Sequence, residues 1–357
     1  MDNTNRRRLV IDGEFALFLR GLLIGKVLTI LVLGGIAWWL LRPYTLVRKS
    51  AVSDSGQSSD TTSRVVSNFE SVDNVPVASV NYGGSTAWAP IRQLVDAQIQ
   101  SDRPELQLRY QDPTNGSPDS SSGIRMLLDG KLDFAQSSRP LTEEERTLAK
   151  QRGFRLEQRQ VGVDGIAVAV NPSLNLPGLT VDQLQQIYLG QITNWKQVGG
   201  PDLPITPFSQ RLEKADAVIF STNEGSNRQL GTNVKYVSST TEALRQVSNT
   251  PGGVYYASAR AVVPQCSVKP LPLGRTSTEL IPLYQEPLVT PEQCPRQRNQ
   301  INTEAIKNGS YPITTNLFVI VKQNNGQEQQ AGEAYAKLLL TDQGQKAIEQ
   351  AGFVGVR

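Results

Sequence analysis

The sequence predicts an α/β fold that follows an apolar N-terminal segment. From Val75 onward, short β-like runs alternate with segments of helical periodicity, beginning with VPVASVNY, GGSTAWAP and IRQLVDAQIQ. Strands that alternate with helices favour sheets that are largely parallel. The 357 residues suffice for about two domains, and 38% apolar with 19% charged residues is typical of a globular chain.

The composition excludes several classes of function. The chain has no histidine, which removes His-based acid/base chemistry, Ser-His-Asp and Cys-His nucleophile systems, and His metal sites. The net charge is only +3, and no basic block is interleaved with aromatic residues, so nucleic acid is not an expected partner. We therefore expect a protein that is not an enzyme and needs no cofactor or metal.

Residues 21–41 read GLLIGKVLTILVLGGIAWWLL and predict a transmembrane helix, which ends at Arg42 and Pro43. At about 1.5 Å per residue this helix is about 30 Å long, which matches the bilayer core. Lys26 lies near the N-terminal end, where it can snorkel to the interface, and Trp38 and Trp39 fall at the level of an aromatic belt. The predicted anchor is residues 21–42, preceded by a segment of residues 1–20.

A cleaved signal peptide with residues 27–41 as its apolar region is the alternative. The double tryptophan followed at once by Arg42 is a poor approach to a peptidase site, which favours an uncleaved anchor. Four arginines precede the span and three basic residues follow it within a few positions, so the N-terminus is predicted to lie inside. This orientation predicts a single-pass protein of the cell membrane, with its folded part in the periplasm or the extracellular space.

Residues 43–74 are predicted to form a flexible linker. Residues 50–74 contain eight serines and no periodic apolar pattern. Random-coil scaling gives this stretch a reach of about 25–30 Å, which would hold the folded part close to the membrane.

The elements after the linker have local boundary signals. Thr142 and Glu145 form a capping box for the predicted helix TEEERTLAKQRG, and Gly153 marks its C-terminal end. Thr180 is the predicted cap of the helix VDQLQQIYLG. The remaining predicted elements are the strands LQLRYQD, LDFAQSS and GIAVAVN and the helix GIRMLLDG.

Two strand-to-helix turns are candidate anion sites. The first is GGST at residues 83–86, and the second is SSSG at residues 120–123, one unit later. Hydroxyls and unpaired N–H groups at a helix N-terminus meet an anion at the positive end of the helix dipole. Ordinary N-capping is the favoured explanation of either turn taken alone, and the occurrence of two such turns in successive units strengthens the anion interpretation.

Five stretches carry a family resemblance, and they are SSGIRMLLDGKLDFAQSSRPLTEEE, LTVDQLQQIYLGQITNWKQVGG, NTPGGVYYASARAV, YPITTNLFVIVK and LLLTDQGQKAIEQAGFVGV. In this order they resemble the periplasmic phosphate-binding proteins of ABC transporters, over about residues 76–357. The resemblance implies a two-lobed periplasmic-binding-protein fold of type II with a ligand cleft between the lobes. Lobe 1 would comprise residues 75–165 plus 313–357, and lobe 2 residues 166–312.

The same resemblance implies a set of ligand-binding residues in lobe 1. Thr86 matches the hydroxyl ligand at the first helix start, with the adjacent Ser85 as a further candidate, and Ser120 or Ser121 matches the serine at the second. Ser138 stands where some members carry an aspartate that accepts the proton of hydrogen phosphate and so rejects sulfate. The adjacent Arg139 either makes a bidentate contact to an oxyanion or is an ordinary surface arginine.

Lobe 2 departs from the family pattern. Arg211 is the candidate for the family's lobe 2 arginine, but the "GSGT"-like donors that should follow are replaced by Glu213, Lys214, Ala215 and Asp216. Two carboxylates at this turn would repel an anion.

The sequence leaves two hypotheses for function. The first is an extracytoplasmic binding protein that delivers phosphate or a related small oxyanion to an ABC permease. The alternative is a divergent, membrane-anchored sensor or interaction module that has kept the fold and lost the ligand.

The two cysteines, Cys266 and Cys294, lie 28 positions apart. In an exported protein they predict one disulfide. Two unrelated buried thiols are the other possibility.

Overall fold

The computed structural model describes residues 68–210, 219–220, 230–290, 292–294 and 296–357. No helix within these ranges is both long enough and apolar enough to cross a bilayer. The predicted span at 21–42 and most of the predicted linker lie outside the described residues.

The described chain alternates strands and helices, with short 3₁₀ turns at Phe69–Ser71, Thr86–Trp88 and Trp195–Val198. The strands are β1 Ala78–Gly84, β2 Leu106–Tyr110, β3 Phe134–Ser137, β4 Arg155–Val170, β5 Leu179–Thr180, β6 Thr206–Gln210, β7 Lys235–Val237, β8 Gly253–Ser258, β9 Lys269–Leu271, β10 Leu273–Gly274, β11 Leu280–Ile281, β12 Thr314–Gln323 and β13 Val354–Gly355. The α-helices are α1 Ala89–Asp102, α2 Ser120–Leu128, α3 Glu143–Gln151, α4 Val181–Tyr188, α5 Thr240–Asn249, α6 Ala259–Val262, α7 Thr303–Lys307, α8 Gln327–Leu339 and α9 Asp342–Gln350.

The main sheet is mixed, whereas the alternation of strands and helices predicted a largely parallel one. Its order is β2-β1-β3-β12-β4-β8-β6-β7, with β9 and β13 also paired to β4. The two ends, β2-β1-β3 and β8-β6-β7, are parallel, but β12 and β4 are antiparallel to their neighbours. The parallel prediction is therefore right at the two ends of the sheet and wrong in its middle, because distant segments of the chain pair there.

The buried apolar side chains form separate cores, and these define two lobes. Lobe 2 has one core, built from residues between Ile166 and Ile313 together with Val354. Lobe 1 has two clusters, which draw on residues between Phe69 and Val161 and between Leu317 and Phe353. The predicted two-lobed α/β fold is confirmed.

Strand β4 connects the lobes. Its first part pairs with β12 in lobe 1, as in the pair Gly165 and Thr314, and its last part pairs with β8 in lobe 2, from Ile166 onward. Its first nine residues range from exposed to buried, but from Asp164 to Val170 every residue is buried. A continuous apolar run is expected for a strand covered on both faces. A side chain at the centre of β4 therefore lies between the two lobes.

The local helix signals are confirmed. The Glu145 N–H donates to Thr142 Oγ1 over 3.2 Å, and the Thr142 N–H donates to Glu145 Oε2 over 2.9 Å, which completes the capping box of α3. Thr180 caps α4 in the same way, with Gln183 as its partner. Gly153 has a φ of +84° just after α3, as a helix-terminating glycine requires.

Residues 68–72 belong to lobe 1, although they fall inside the linker predicted for residues 43–74. Phe69 and Val72 are buried in the lobe 1 core. The Arg103 side chain donates to the carbonyl groups of Phe69, Glu70 and Val72 over 3.3, 3.2 and 2.5 Å. These carbonyls and the buried Phe69 ring hold the segment to the lobe, which the serine-rich composition around it does not reveal.

Cys266 and Cys294 form the predicted disulfide, with their Cα atoms 5.7 Å apart. The bond closes a loop across 28 positions in lobe 2, and neither cysteine lines the cavity between the lobes.

We expect Cys266→Ser/Cys294→Ser to lower the free energy of unfolding by about 3 kcal/mol, because the bond restricts the unfolded chain. Urea denaturation with and without a reductant measures this effect, and reduction of the unmodified protein should reproduce it. Equal stability of the oxidised and reduced proteins would contradict the prediction.

Candidate functional site

A cavity of about 410 Å³ lies between the two lobes. Lobe 1 contributes the ends of β1 and β3 and the starts of α1 and α2, whereas lobe 2 contributes the end of β6, the start of α5, β8 and α6. Its polar lining residues are Ser85, Thr86, Asp119, Ser120, Ser121, Ser138, Arg139, Asp164, Ser209, Gln210, Thr240, Tyr255, Tyr256, Ser258, Arg260 and Thr315. Every residue predicted for the lobe 1 half of the site is therefore in the cavity wall.

Three of the predicted serines make a compact hydroxyl cluster, which we call the serine triangle: Ser85, Ser120 and Ser138. The Oγ atom of Ser138 lies 3.0 Å from Ser85 Oγ and 3.3 Å from Ser120 Oγ. The Ser138 N–H donates to Ser120 Oγ over 3.0 Å, and Thr315 Oγ1 donates to the Ser138 carbonyl over 2.6 Å. A hydroxyl both donates and accepts, so these groups can turn their O–H bonds toward an anion.

Two glycines bring the corners of the triangle together. Gly84 has a φ of +128°, and a Cβ placed there would lie 2.2 Å from the Gln136 carbonyl oxygen. A Cβ on Gly123 would lie 2.5 Å from the Gly84 Cα atom. Because no side chain intervenes, the first turn of α2 rests directly on the end of β1, and the Ser85 and Ser120 turns meet.

Helix capping and anion binding are compatible interpretations of these turns, although only the first turn contains its own cap. Ser85 accepts the Ala87 N–H over 3.3 Å at the start of the 3₁₀ turn. At α2 the cap is Asp119, which accepts the Ser122 N–H over 2.6 Å, and the serine stretch forms the first helical turn instead of preceding it. The N–H groups of Ser120 and Ser121 occupy the first two positions of that turn, where a helix has no internal partner for them.

Arg139 lines the cavity, but protein groups already engage its guanidinium. The Nη2 atom donates to Ser121 Oγ over 2.9 Å and to Glu145 Oε1 over 2.7 Å. The Nη1 atom donates to Glu145 Oε2 over 3.1 Å and to the Pro140 carbonyl over 2.9 Å. In this geometry Arg139 positions Ser121 and braces α3, and its direct contact with an oxyanion stays a prediction.

The lobe 2 wall contains polar groups that the sequence did not single out. The Gln210 Nε2 atom donates to Thr240 Oγ1 over 3.2 Å, and Thr240 Oγ1 lies 3.2 Å from the Tyr255 hydroxyl. Arg260 lines the cavity at the start of α6, and it makes no hydrogen bond or salt bridge to any described residue. Arg260 falls within the stretch NTPGGVYYASARAV. A single arginine among small residues is the sequence signal that could have identified it as a candidate site residue. The predicted Arg211 and the acidic turn after it lie outside the described residues.

A buried polar network supports the lobe 1 wall from behind. Arg92 Nη1 donates to Gln136 Oε1 over 3.0 Å and approaches the Ser85 carbonyl at 3.5 Å. The Gln136 backbone carbonyl accepts the Ser85 N–H over 2.8 Å, and Gln136 Nε2 donates to the Tyr335 hydroxyl over 3.0 Å. The network therefore connects the Ser85 turn to the interior of lobe 1.

The network ends at a buried carboxylate. Both Tyr82 and Tyr335 donate their hydroxyl groups to Asp96. Burial raises the pKa of Asp96 to about 6, although the two tyrosine hydroxyls and the nearby Arg92 charge act in the opposite direction.

A model of the PBP superfamily domain matches residues 60–343. The chain belongs to the PBP superfamily. This membership agrees with the prediction that the protein binds a ligand and is not an enzyme.

Relatives within this superfamily share the architecture at low sequence identity. The phosphate-binding protein PstS of Borreliella burgdorferi is 27% identical over 309 residues, which cover 81% of this chain and 94% of that protein. The PstS protein of Staphylococcus haemolyticus is 24% identical over 278 residues, which cover 76% and 79% of the two chains. An ABC-type phosphate transport receptor from Vibrio cholerae superposes with a TM-score of 0.60 at 22% identity, over 78% of this chain and all of that one.

Proposed function

We propose that this member of the PBP superfamily binds phosphate or a closely related small oxyanion between its lobes and delivers it to an ABC permease. The serine triangle carries this proposal, because it places the Ser138 Oγ atom 3.0 Å from Ser85 Oγ and 3.3 Å from Ser120 Oγ, beside the start of α2. The names of the relatives, which describe phosphate-binding and phosphate transport proteins, support the same ligand.

The chemistry of the cavity suits a small anion. Hydroxyl groups and the free N–H groups of a helix start replace the water around an oxyanion, and the helix dipole favours its negative charge. Across the cavity, the Arg260 guanidinium supplies a positive charge from lobe 2. Closure of the lobes around the ligand would bring these groups together, as hinge closure does in other binding proteins.

The proposal includes a membrane anchor at residues 21–42, with residues 1–20 inside and the folded part outside. The apolar length, the flanking tryptophans and the arginines before the span support it. A tether of this kind would keep the binding domain near a permease in the same membrane. We retain lobe 1 as residues 75–165 plus 313–357 and lobe 2 as residues 166–312, with residues 68–72 added to lobe 1.

The alternative, a sensor or interaction module without a ligand, receives less support. Buried polar atoms without hydrogen-bond partners cost free energy. Such atoms are therefore not expected in a cavity that no longer binds a ligand. Here the Asp164 Oδ1 and Ser258 Oγ atoms are buried, belong to residues that line the cavity, and have no hydrogen-bond partner among the described residues.

We expect Ser120→Ala to weaken phosphate binding by about 10- to 100-fold. The hydroxyl would contribute a hydrogen bond to a charged ligand, for which about 1.5–3 kcal/mol is usual. Its loss also leaves the Ser138 N–H without its acceptor. Isothermal titration of the full-length protein in detergent with phosphate, sulfate and molybdate measures the effect.

Ser117→Ala is the matched control, because Ser117 is an exposed serine in the loop that precedes α2 and does not line the cavity. It should bind phosphate with unchanged affinity. If the well-folded unmodified protein binds none of the three anions, the proposed function is wrong. If it binds phosphate and Ser120→Ala binds equally well, the site assignment is wrong.

A further inference from the structure

The centre of the strand that connects the lobes carries an unsatisfied carboxylate. Asp164 lines the cavity, and only 3% of its surface is exposed. Its Oδ1 atom is buried and has no hydrogen-bond partner among the described residues. A buried acceptor without a donor is costly, so natural proteins rarely keep one without a function.

The groups around Asp164 only partly compensate its charge. The Ser258 hydroxyl, the N–H groups of Ala259 and Gly165, and the Arg260 charge each lower its pKa, but burial outweighs them and raises the pKa to about 7. Ser258 lies close enough to affect this pKa, yet its Oγ atom also lacks a partner with hydrogen-bond geometry among the described residues. The other ionisable side chains that line the cavity are Asp119, Arg139, Tyr255 and Tyr256.

We propose that Asp164 accepts the proton of a singly protonated oxyanion, with Arg260 beside it as the compensating cation, and thereby selects hydrogen phosphate over sulfate. This inference rests on the proposed function. It assigns the selection to the strand between the lobes, whereas the family resemblance points to the position of Ser138, where this chain has no carboxylate.

The selection follows from the hydrogen-bonding capacity of the two ligands. An ionised carboxylate only accepts hydrogen bonds, and hydrogen phosphate has an O–H group to donate to Oδ1. Sulfate has no proton at neutral pH, so it would place an oxygen against the carboxylate oxygen in a cavity of low dielectric. Once Asp164 is protonated, its carboxyl group can donate a hydrogen bond to a sulfate oxygen, and sulfate can then bind.

The protonation state of Asp164 sets the direction in which sulfate affinity changes with pH. Sulfate does not titrate in the neutral range, so its affinity reports on the protein alone. In the unmodified protein, sulfate affinity should fall by about 30-fold between pH 6 and pH 8.5, because sulfate needs the protonated form of Asp164. In Asp164→Asn the amide group is a donor at every pH, so sulfate affinity should stay constant over this range.

The experiment is a titration of full-length unmodified protein and of Asp164→Asn with phosphate and with sulfate, at pH 6 and pH 8.5. At pH 8.5 the unmodified protein should prefer phosphate by about 100-fold or more, and Asp164→Asn should reduce this preference to about 10-fold or less. The second variant is Arg260→Gln. It should weaken the binding of both anions at this pH and leave the ratio of the two affinities within a few-fold of the original.

The outcomes separate the inference from the proposed function. If the unmodified protein binds no phosphate, the proposed function fails and the inference fails with it. If it binds phosphate but Asp164→Asn keeps the original preference at pH 8.5, the inference alone is overturned. Should Asp164→Asn fail to fold, the sulfate titration of the unmodified protein decides, because an affinity that does not change with pH also overturns the inference.

Discussion

Gly123→Ala is expected to lower the free energy of unfolding by about 2 kcal/mol and to weaken phosphate binding by at least about 10-fold. The new Cβ would lie 2.5 Å from Gly84 Cα and 3.2 Å from Gly84 N, and backbone atoms cannot rotate away as a side-chain end can. Helix α2 must therefore shift away from β1. Urea denaturation and phosphate titration of the same sample measure the two effects.

The loss of binding would follow from the displacement of Ser120. Its hydroxyl holds the Ser138 N–H at 3.0 Å, and a shift of α2 opens this corner of the serine triangle. Arg125→Ala is the control, since Arg125 is an exposed residue of the same helix and its replacement should change stability by less than about 0.5 kcal/mol. A Gly123→Ala protein with unchanged stability and affinity would show that the Gly84–Gly123 contact does not set the site.

Asp96→Asn is expected to change how stability depends on pH. In the folded protein burial raises the pKa of Asp96 from 3.8 to about 6, so between these values the folded state binds more protons than the unfolded state. The stability that this proton provides is complete below pH 4 and is lost as the pH rises through 6. The loss amounts to about 3 kcal/mol, since one pKa unit is worth about 1.4 kcal/mol.

The variant should lose this slope, because asparagine does not ionise. Urea denaturation at intervals between pH 4 and pH 8 gives the difference curve between variant and unmodified protein, which should rise from pH 4 to pH 6 and then stay level. Asp164→Asn is the comparison, and its curve should continue to rise to about pH 7, where the pKa of Asp164 lies. Parallel pH profiles for Asp96→Asn and the unmodified protein would refute the prediction.

Features of local origin could be read from the sequence. The capping boxes at Thr142 and Thr180 depend on residues three positions apart, so a short pattern contains the complete interaction. The serine turns at 83–86 and 120–123 follow the same logic, because glycine and hydroxyl residues clustered over a few positions indicate a helix start. The disulfide was predictable for a different reason, since two cysteines allow only one pairing.

Features that depend on pairing between distant segments could not be read from the sequence. The antiparallel middle of the sheet results from the pairing of β4 with β12, and no local pattern encodes which strands become neighbours. Phe69 looks like an isolated aromatic residue in a serine-rich linker until the lobe 1 core surrounds it and Arg103 binds its carbonyl group.

For the site, the sequence by itself indicated the lobe 1 candidates Ser85, Thr86, Ser120 and Ser121 through turns with local signatures, and the family resemblance added Ser138 and Arg139. Only the tertiary structure decided that Ser85, Ser120 and Ser138 touch, that Glu145 engages Arg139, and that Asp164 and Arg260 share one cavity. The physical reason is that a residue type states which interactions are available, whereas burial and the approach of distant segments decide which groups remain unsatisfied and free to bind a ligand.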